Sequence, residues 1–552
     1  MIFSLEVFSD RCIATINLKY TNNKFIFKLK MFVIYLTKNT VRLFVEFKSY
    51  FFILRMVFIF VDRKMLTLEN IQNIKSPVHL PDYNPMDIQN GILHFGVGNF
   101  FRAHEAFYVE KTLKANPNWG IVGVGLTSGE HSYKKAKMFK DQNCLYSLTE
   151  CAPSGKRSVQ IIAALRDYLL APEDPESVLH YLSKPEIRIV SMTITEGGYN
   201  INEITGEFNL QSTAVQKDLN NPSKPETIFG YVVEGLRRRR DAGMKAFTIM
   251  SCDNLRHNGD VARKAFLGFA HARDPALAGW IAQNATFPNA MVDRITPTVT
   301  TEIARCLNSE NGLNDDLPVI AEDFHQWVLE DSFADGRPQL EEAGVQFVSS
   351  VTDYEHVKIR MLNAAHIMLS FPAILMGYTL VDHAIGDPQL KKNIEKFLTL
   401  DVIPTLTAPL GINLQDYMES VINRFSNPAM ADQTLRIASD GSAKIQVFWT
   451  ETVRHILINK TECSRIAFGM AAYLEMLRGV DMQGKTYLIT EPSYSKDQDA
   501  LIHSDDYAAA LQLPAFDTWR DLDSSILDQK VIQLRKIIRS QGVVAALATL
   551  PI

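Results

Sequence analysis

Between Lys358 and His366 the chain carries a base, an amide (Asn363) and an imidazole, with Glu355 three residues ahead of them. On an α-helix turning about 100° per residue with Lys358 as zero, Glu355 falls near 60°, His366 near 80° and Asn363 near 140°, all on one broad face. Ala364 and Ala365 between them are small, so backbone or ligand can approach. A neutral lysine facing an amide and an imidazole can take a proton from an alcohol while its oxygen is held. The same residue types also build a solvated helix face with i,i+3 ion pairs. The elements that would position them decide between the two.

The first such element is Ile92 to Phe95, a short buried strand by its apolar run. Gly96 and Gly98 follow, and Arg102 to Leu113 reads as a helix. Strand, glycine turn and helix are the parts of a dinucleotide-binding crossover. Its glycines let the backbone approach a pyrophosphate and its helix N-terminus meets the charge. Gly96, Gly98, Phe100 and Arg102 are the cofactor candidates here; Phe101 stands where G-x-G-x-x-G has its third glycine. A second strand, Gly120 to Leu126, is followed by Glu130, the nearest acid for the ribose hydroxyls of NAD. Lys134 and Lys135 close behind could instead meet the 2′-phosphate of NADP, so the preference stays open.

Ile187 to Thr195 is a third strand ending in the turn Glu196-Gly197-Gly198-Tyr199. Phe229 to Arg240 reads as a helix with a basic end. Ala246 to Met250 is a further strand running into Ser251-Cys252-Asp253-Asn254, where Asn254 either fixes a turn or points into the cleft. Asp293 and Arg294 form a neighbour pair inside a proline-bracketed loop, and Val319 to Glu322 is another strand. His325 has no partner at metal-ligand spacing. After Asp353 the strand signals thin out and helical patterns run to the end, broken near Pro372, Pro404, Gly411 and Pro428. The fold class is α/β: a Rossmann-type domain over 65–350 and a mostly α-helical domain over 351–552, whose first helix carries Lys358 toward the cleft.

Composition bounds the rest. A chain of 552 residues exceeds one core and implies two or three domains. A net charge of −5 gives no sign of a nucleic-acid partner. Six scattered cysteines without a C-x-x-C pair fit a reducing cytoplasm rather than a disulfide framework. Residues 1–64 are unlike the remainder: no glycine or proline, 11 of the 31 phenylalanines, and 11 Lys and Arg against 4 Asp and Glu. Their apolar run from Tyr50 to Val61 is interrupted by Arg55 and falls short of the ~20 residues of a membrane span. An interfacial anchor, a genuine extension and a misassigned start are the three readings; the last is favoured, with Met65 the expected first residue and no stable membrane association.

The order of motifs G-V-G-x-F-x-R-A-H (96–104), T-I-T-E-G-G-Y (193–199), M-S-C-D-N (250–254), F-P-N-A-M-V-D-R-I-T-P (287–297) and K-x-x-x-x-N-x-x-H (358–366) resembles the polyol-specific long-chain dehydrogenases, the mannitol dehydrogenase family. The likeness runs from about Met65 to the C-terminus. It implies a mostly monomeric enzyme that oxidises D-mannitol to D-fructose with NAD, NADP being possible, and uses no metal. It implies Lys358 as general acid and base, Asn254 and Asn363 as amides on the reacting oxygen, and His366 as a substrate-hydroxyl contact. Glu355 matches a proton relay to solvent, and Asp293 and Arg436 match polyol-binding positions. D-arabinitol 4-dehydrogenases and hexuronate reductases share the pattern. A non-catalytic nucleotide sensor on the same scaffold would have lost the base or an amide, and all are present. Thr127 to Glu130 shows no clean acidic pair, which puts the usual NAD preference in doubt.

Overall fold

The computed structural model describes residues 65–551 apart from 75–76, 203–204, 493 and 505, and the backbone of the strands Ile2–Phe8, Arg11–Leu18 and Phe27–Phe32. Those three strands pair antiparallel within a unit of their own, Met1–Arg63, and Lys64–Ile552 forms a second compact unit. The expectation of a start at Met65 falls on a segment that lies largely outside the described residues.

Five parallel strands make the central sheet of the larger unit, in the spatial order Thr248–Ser251, Ile189–Met192, Asn90–Phe95, Gly120–Gly125, Leu165–Leu170. The chain therefore winds outward from Asn90–Phe95 in one direction, returns, and winds outward in the other. Connections leave opposite faces at that reversal and open a crevice beyond the strands' carboxyl ends. Both faces of the sheet are covered, which is why its strands read as apolar runs: Ile92, Leu93 and Phe95, Ile121, Val122 and Val124, Ile189, Val190 and Met192 are all buried.

The helix expected from Phe229 to Arg240 spans Ile228–Asp241, opened by the Thr227 hydroxyl accepting from the Gly230 N–H and closed by arginines in its last turn. The helix expected over Arg102 to Leu113 is instead two, Asn99–Ala103 and Glu105–Thr112. They break at His104, whose backbone leaves the helical region at φ −119°, ψ −87°, and whose Nε2 lies 3.0 Å from the Gln326 carbonyl oxygen. Val319–Glu322 is a strand as read, but it joins a separate four-stranded sheet with Tyr146–Cys151, Arg157–Ile162 and Val78–His79. Ala290–Asp293 pairs with Gln326–Glu330 in a third, three-stranded sheet.

Among the described residues every named element from Thr352 onward is helical. The helices enclose a core of their own that includes Met361, Leu369, Phe371, Trp449 and Phe468. Buried ion pairs, Arg465 with Asp401 and Arg535 with Glu475, cross-link that bundle.

Candidate active site

The run from Thr352 to Leu375 is not one uniform α-helix. Thr352–Val357 is α-helical, Lys358–Asn363 is a π-helix, and Ala364–Leu375 is α-helical again. A π-turn bonds residue i to i+5 and holds more residues than an α-turn, which brings side chains five apart nearer to one side than an α-helix would. Lys358 and Asn363 are five apart, and both line one cavity of about 630 Å³ together with Glu355 and Asn254. His366 lies three residues further along the α-helix, which turns it about 60° off that line. Its ring stacks on Phe425 with centroids 4.1 Å apart, and it does not reach the cavity wall. Its Nε2 has no hydrogen-bond partner among the described residues, and loss of hydration brings the imidazole down to about 4.

Lys358 is 6% exposed, and its Nζ donates to Asn254 Oδ1 at 2.6 Å and to the Val292 carbonyl oxygen at 2.5 Å. Burial lowers its pKa and Arg424 adds to the effect, while Asp293 and Glu355 oppose it. Asp293 is itself occupied. Both of its oxygens accept from Arg424, at 2.8 and 2.9 Å, and the same guanidinium bonds Glu322. Burial works to raise the Asp293 pKa, but Arg424 overrides it and the carboxyl stays below its usual value. Asp293 therefore faces Arg424 rather than offering a free carboxylate to a substrate. Glu355 is buried beside Lys358; its Oε1 accepts from the His257 N–H at 3.0 Å, and desolvation raises its pKa.

Arg436 is exposed, pairs with Asp432 just ahead of its short helix Thr434–Ala438, and lies outside the cavity lining. The helix after it, Gly441–Phe448, supplies Lys444 to the cavity instead, its Nζ 2.8 Å from the Ile437 carbonyl oxygen. Arg424 and Lys444 are site residues that the motifs did not mark. Arg424 carried a signal: with Tyr417 and Val421 it continues an i, i+4, i+7 stripe that is buried, and a charge on such a stripe needs a buried partner.

A second cavity, about 560 Å³, lies at the carboxyl ends of the central strands, where their order reverses. Gly96 fits it for two reasons: its φ is +95°, and a Cβ there would stand 2.0 Å from the Thr193 carbonyl oxygen. A Cβ on Gly98 would meet only the Gly96 oxygen at 3.8 Å, so this residue keeps the cradle open. Bare backbone beside a helix start is what a pyrophosphate needs. Phe100 packs on His104 and Arg102 turns inward, donating to the Leu317 carbonyl at 2.5 Å and to Asn99 Oδ1 at 2.7 Å over the Tyr146 ring; neither lines the cavity. Glu130 opens the helix Glu130–Asp141 and points to solvent. The wall at that corner is Thr127, His131, Ser132 and Lys135, and among the described residues no Asp or Glu lines the cavity. Lys135 donates to the Val97 carbonyl at 2.6 Å, and burial chiefly brings its pKa to about 8.

The segment from Thr193 to Tyr199 separates the two cavities. Thr195, Gly197 and Gly198 face the cofactor-sized cavity and Glu196 faces the other. Thr195 holds φ +63°, ψ 169°, a conformation that costs a residue other than glycine about 1–3 kcal/mol. Among the described residues no group of three or more His, Cys, Asp or Glu is placed to hold a metal ion, and no helix is long and apolar enough to cross a membrane.

This geometry has relatives. Residues 90–342 match the mannitol dehydrogenase Rossmann domain and residues 350–535 the mannitol dehydrogenase C-terminal domain. The chain is 67% identical over 483 residues to a polyol:NADP oxidoreductase of Gluconobacter oxydans, covering 88% of this chain and all of that one. Among solved structures it is similar to a D-sorbitol dehydrogenase in substrate-free form, with a TM-score of 0.86, 66% identity and coverage of 88% and 100%. It is similar also to the Pseudomonas fluorescens mannitol 2-dehydrogenase in ternary complex with NAD and D-mannitol, with a TM-score of 0.77, 39% identity and coverage of 88% and 99%. A Rossmann sheet with an open glycine cradle, a buried lysine held by an amide, and these matches over both halves converge: the chain belongs to the mannitol dehydrogenase family of nicotinamide-dependent oxidoreductases acting on secondary alcohol groups of polyols.

Proposed function

We propose that the chain interconverts D-mannitol and D-fructose, with Lys358 as general base in oxidation and, protonated, as general acid in reduction. The observation that carries this is the buried Lys358 Nζ, 2.6 Å from Asn254 Oδ1 in the cavity next to the dinucleotide cradle. A free lysine near ~10.4 is almost wholly protonated at neutral pH; burial lowers Lys358 from that value, which makes a base of it. A bound nicotinamide supplies the hydride acceptor. The carbinol oxygen left behind gives its proton to Lys358. Asn254 accepts from Lys358 through its oxygen, which turns its amide N–H groups toward the substrate oxygen, and Asn363 donates from one π-turn away. Each such donor is worth about 3 kcal/mol on the scale of an oxyanion hole. Glu355 returns the proton from Lys358 to solvent.

NADP(H) is the preferred cofactor in this reading. An acidic residue at the end of the second strand would hold the ribose of NAD and repel a 2′-phosphate. The cavity wall there is neutral or basic, with Ser132, His131 and Lys135, and the Gluconobacter relative is named for NADP. A second substrate reading has an observation of its own: Arg256 and Lys444 both line the substrate cavity, which would suit the carboxylate of a hexuronate.

The test is an initial-rate panel of D-mannitol, D-sorbitol and D-arabinitol oxidation and of fructose, fructuronate and tagaturonate reduction, each with both cofactors. D-mannitol and fructose leading with NADP(H) is the expected result. A hexuronate outrunning fructose by tenfold or more would transfer the assignment to the carboxylate reading, and D-sorbitol leading would move the substrate without moving the mechanism. No turnover with any of them would leave a nucleotide-binding sensor.

A further inference from the structure

The wall between the two cavities contains a conformation that needs explaining. Thr195 is β-branched, yet its φ of +63° with ψ 169° is territory that glycine enters freely and threonine avoids. One carboxylate holds it there. Asp253 Oδ1 accepts from the Thr195 N–H at 2.9 Å, and Oδ2 accepts from the Ile194 N–H at 3.0 Å and from the Tyr199 hydroxyl at 2.7 Å. Asp253 is 7% exposed, and the proton-transfer scheme makes no use of its carboxylate. Its own main chain is fixed from the other side: Asn258 Nδ2 donates to its carbonyl oxygen at 2.9 Å, and its N–H reaches Ser251 Oγ at 3.3 Å. The next residue is Asn254, the partner of Lys358. A relaxation of Thr195 would move the cofactor wall, and through Asp253 it would pull on the amide that holds the base.

We propose that Asp253 is a positioning residue that holds Thr195 in its strained form, and thereby sets the cofactor wall and the Asn254 amide in register with each other. The coupling to turnover rests on the polyol dehydrogenase reading above; the coupling to cofactor binding does not. Asp253→Asn puts an amide N–H2 against a backbone N–H and should release the segment. It is expected to weaken NADPH affinity, read by fluorescence titration, and kcat/KM for the polyol by about tenfold each. The primary deuterium isotope effect with substrate deuterated at the carbinol carbon should rise, because hydride transfer becomes the slow step. In Thr195→Gly/Asp253→Asn, residue 195 needs no restraint, and most of the lost affinity should return. Tyr199→Phe removes one of the bonds to the carboxylate and should give a smaller loss of affinity; it decides the matter if Asp253→Asn yields no folded protein, an unchanged affinity then overturning the proposal. Additive losses in the double variant overturn it as well. So does a lowered Tm with affinity and isotope effect unchanged, which would make Asp253 purely structural. Wild-type protein inactive on every polyol would sink the functional reading, while the affinity cycle still decides this one.

Discussion

The ammonium form of Lys358 is destabilised where it sits, since burial and the Arg424 guanidinium outweigh Asp293 and Glu355. Lys358→Ala should therefore lower turnover by orders of magnitude and leave NADP(H) affinity nearly intact; activity within tenfold of wild type would end its role as base. Asn254→Ala and Asn363→Ala should each cost about 10²–10³ in kcat. The neutral amine is the reactive form in oxidation, so that rate climbs with pH and levels off above the Lys358 pKa, while the reduction rate falls over the same range. Arg424→Met removes a positive charge and frees Asp293 to act as counterion, so the rising limb of the oxidation profile should move to higher pH by about one unit, and Arg424→Lys should restore part of the difference. An unmoved profile would leave Arg424 a packing residue. Lys358, Asn363 and Glu355 stood out in the sequence by type and spacing and Asn254 through the family resemblance, and the four line one cavity. Arg102 and Glu130 misled because a charge beside a motif looks functional until its direction is known: one is drawn inward by the Leu317 carbonyl, the other is free in solvent. Arg436 misled in the same way, its charge being taken by Asp432.

At the scale of elements, the π segment decides which side chains meet. Counting about 100° per residue placed His366 closer to Lys358 than Asn363; the wider turn of Lys358–Asn363 reverses that order. Periodicity shows that a helix exists but not where its hydrogen-bond register slips, because a single extra residue leaves the apolar pattern on either side intact. Deleting Arg360 or Ile359 should close the segment to an α-turn without unravelling its flanks. The expected outcome is an unchanged far-UV circular dichroism spectrum with kcat lowered about a hundredfold or more; a fully active deletion variant would show that the π-turn is dispensable. Short strands were hard to read for a related reason. The four residues of Ala290–Asp293 are all buried, so no alternation marks them, and the pairing of Val319–Glu322 outside the central sheet depends on partners far away in sequence.

For the whole molecule, the Rossmann and helical halves were legible from the glycine turn, the apolar runs and the change of period after Asp353. The two small sheets were not, since topology arises from long-range pairing. Burial also leaves acid-sensitive groups: His104 is brought down to about 3 and His325 and His366 to about 4, each mainly by desolvation. Unfolded histidine titrates near 6.5, so below that pH the unfolded chain binds protons that the folded one refuses, and stability falls progressively toward pH 4. Glu110 and Glu491, both raised to about 7 by burial, pull the other way over much of this range. A difference measurement separates the two: for the fully buried His104, wild type should lose about 1.4 kcal/mol per pH unit relative to His104→Gln below pH 6.5. Parallel Tm curves for the two proteins would refute the assignment. The ion pairs of Arg424 reach from the helical half to Asp293 and Glu322 in the strand-bearing half, and Lys358 leans across the same seam on Asn254 and the Val292 carbonyl. Catalytic competence is thus a readout of assembly. A chain emerging from synthesis, or nicked between its halves, can regain most of its helix and still be silent, and during refolding activity should return later than ellipticity, when the two halves have closed on each other.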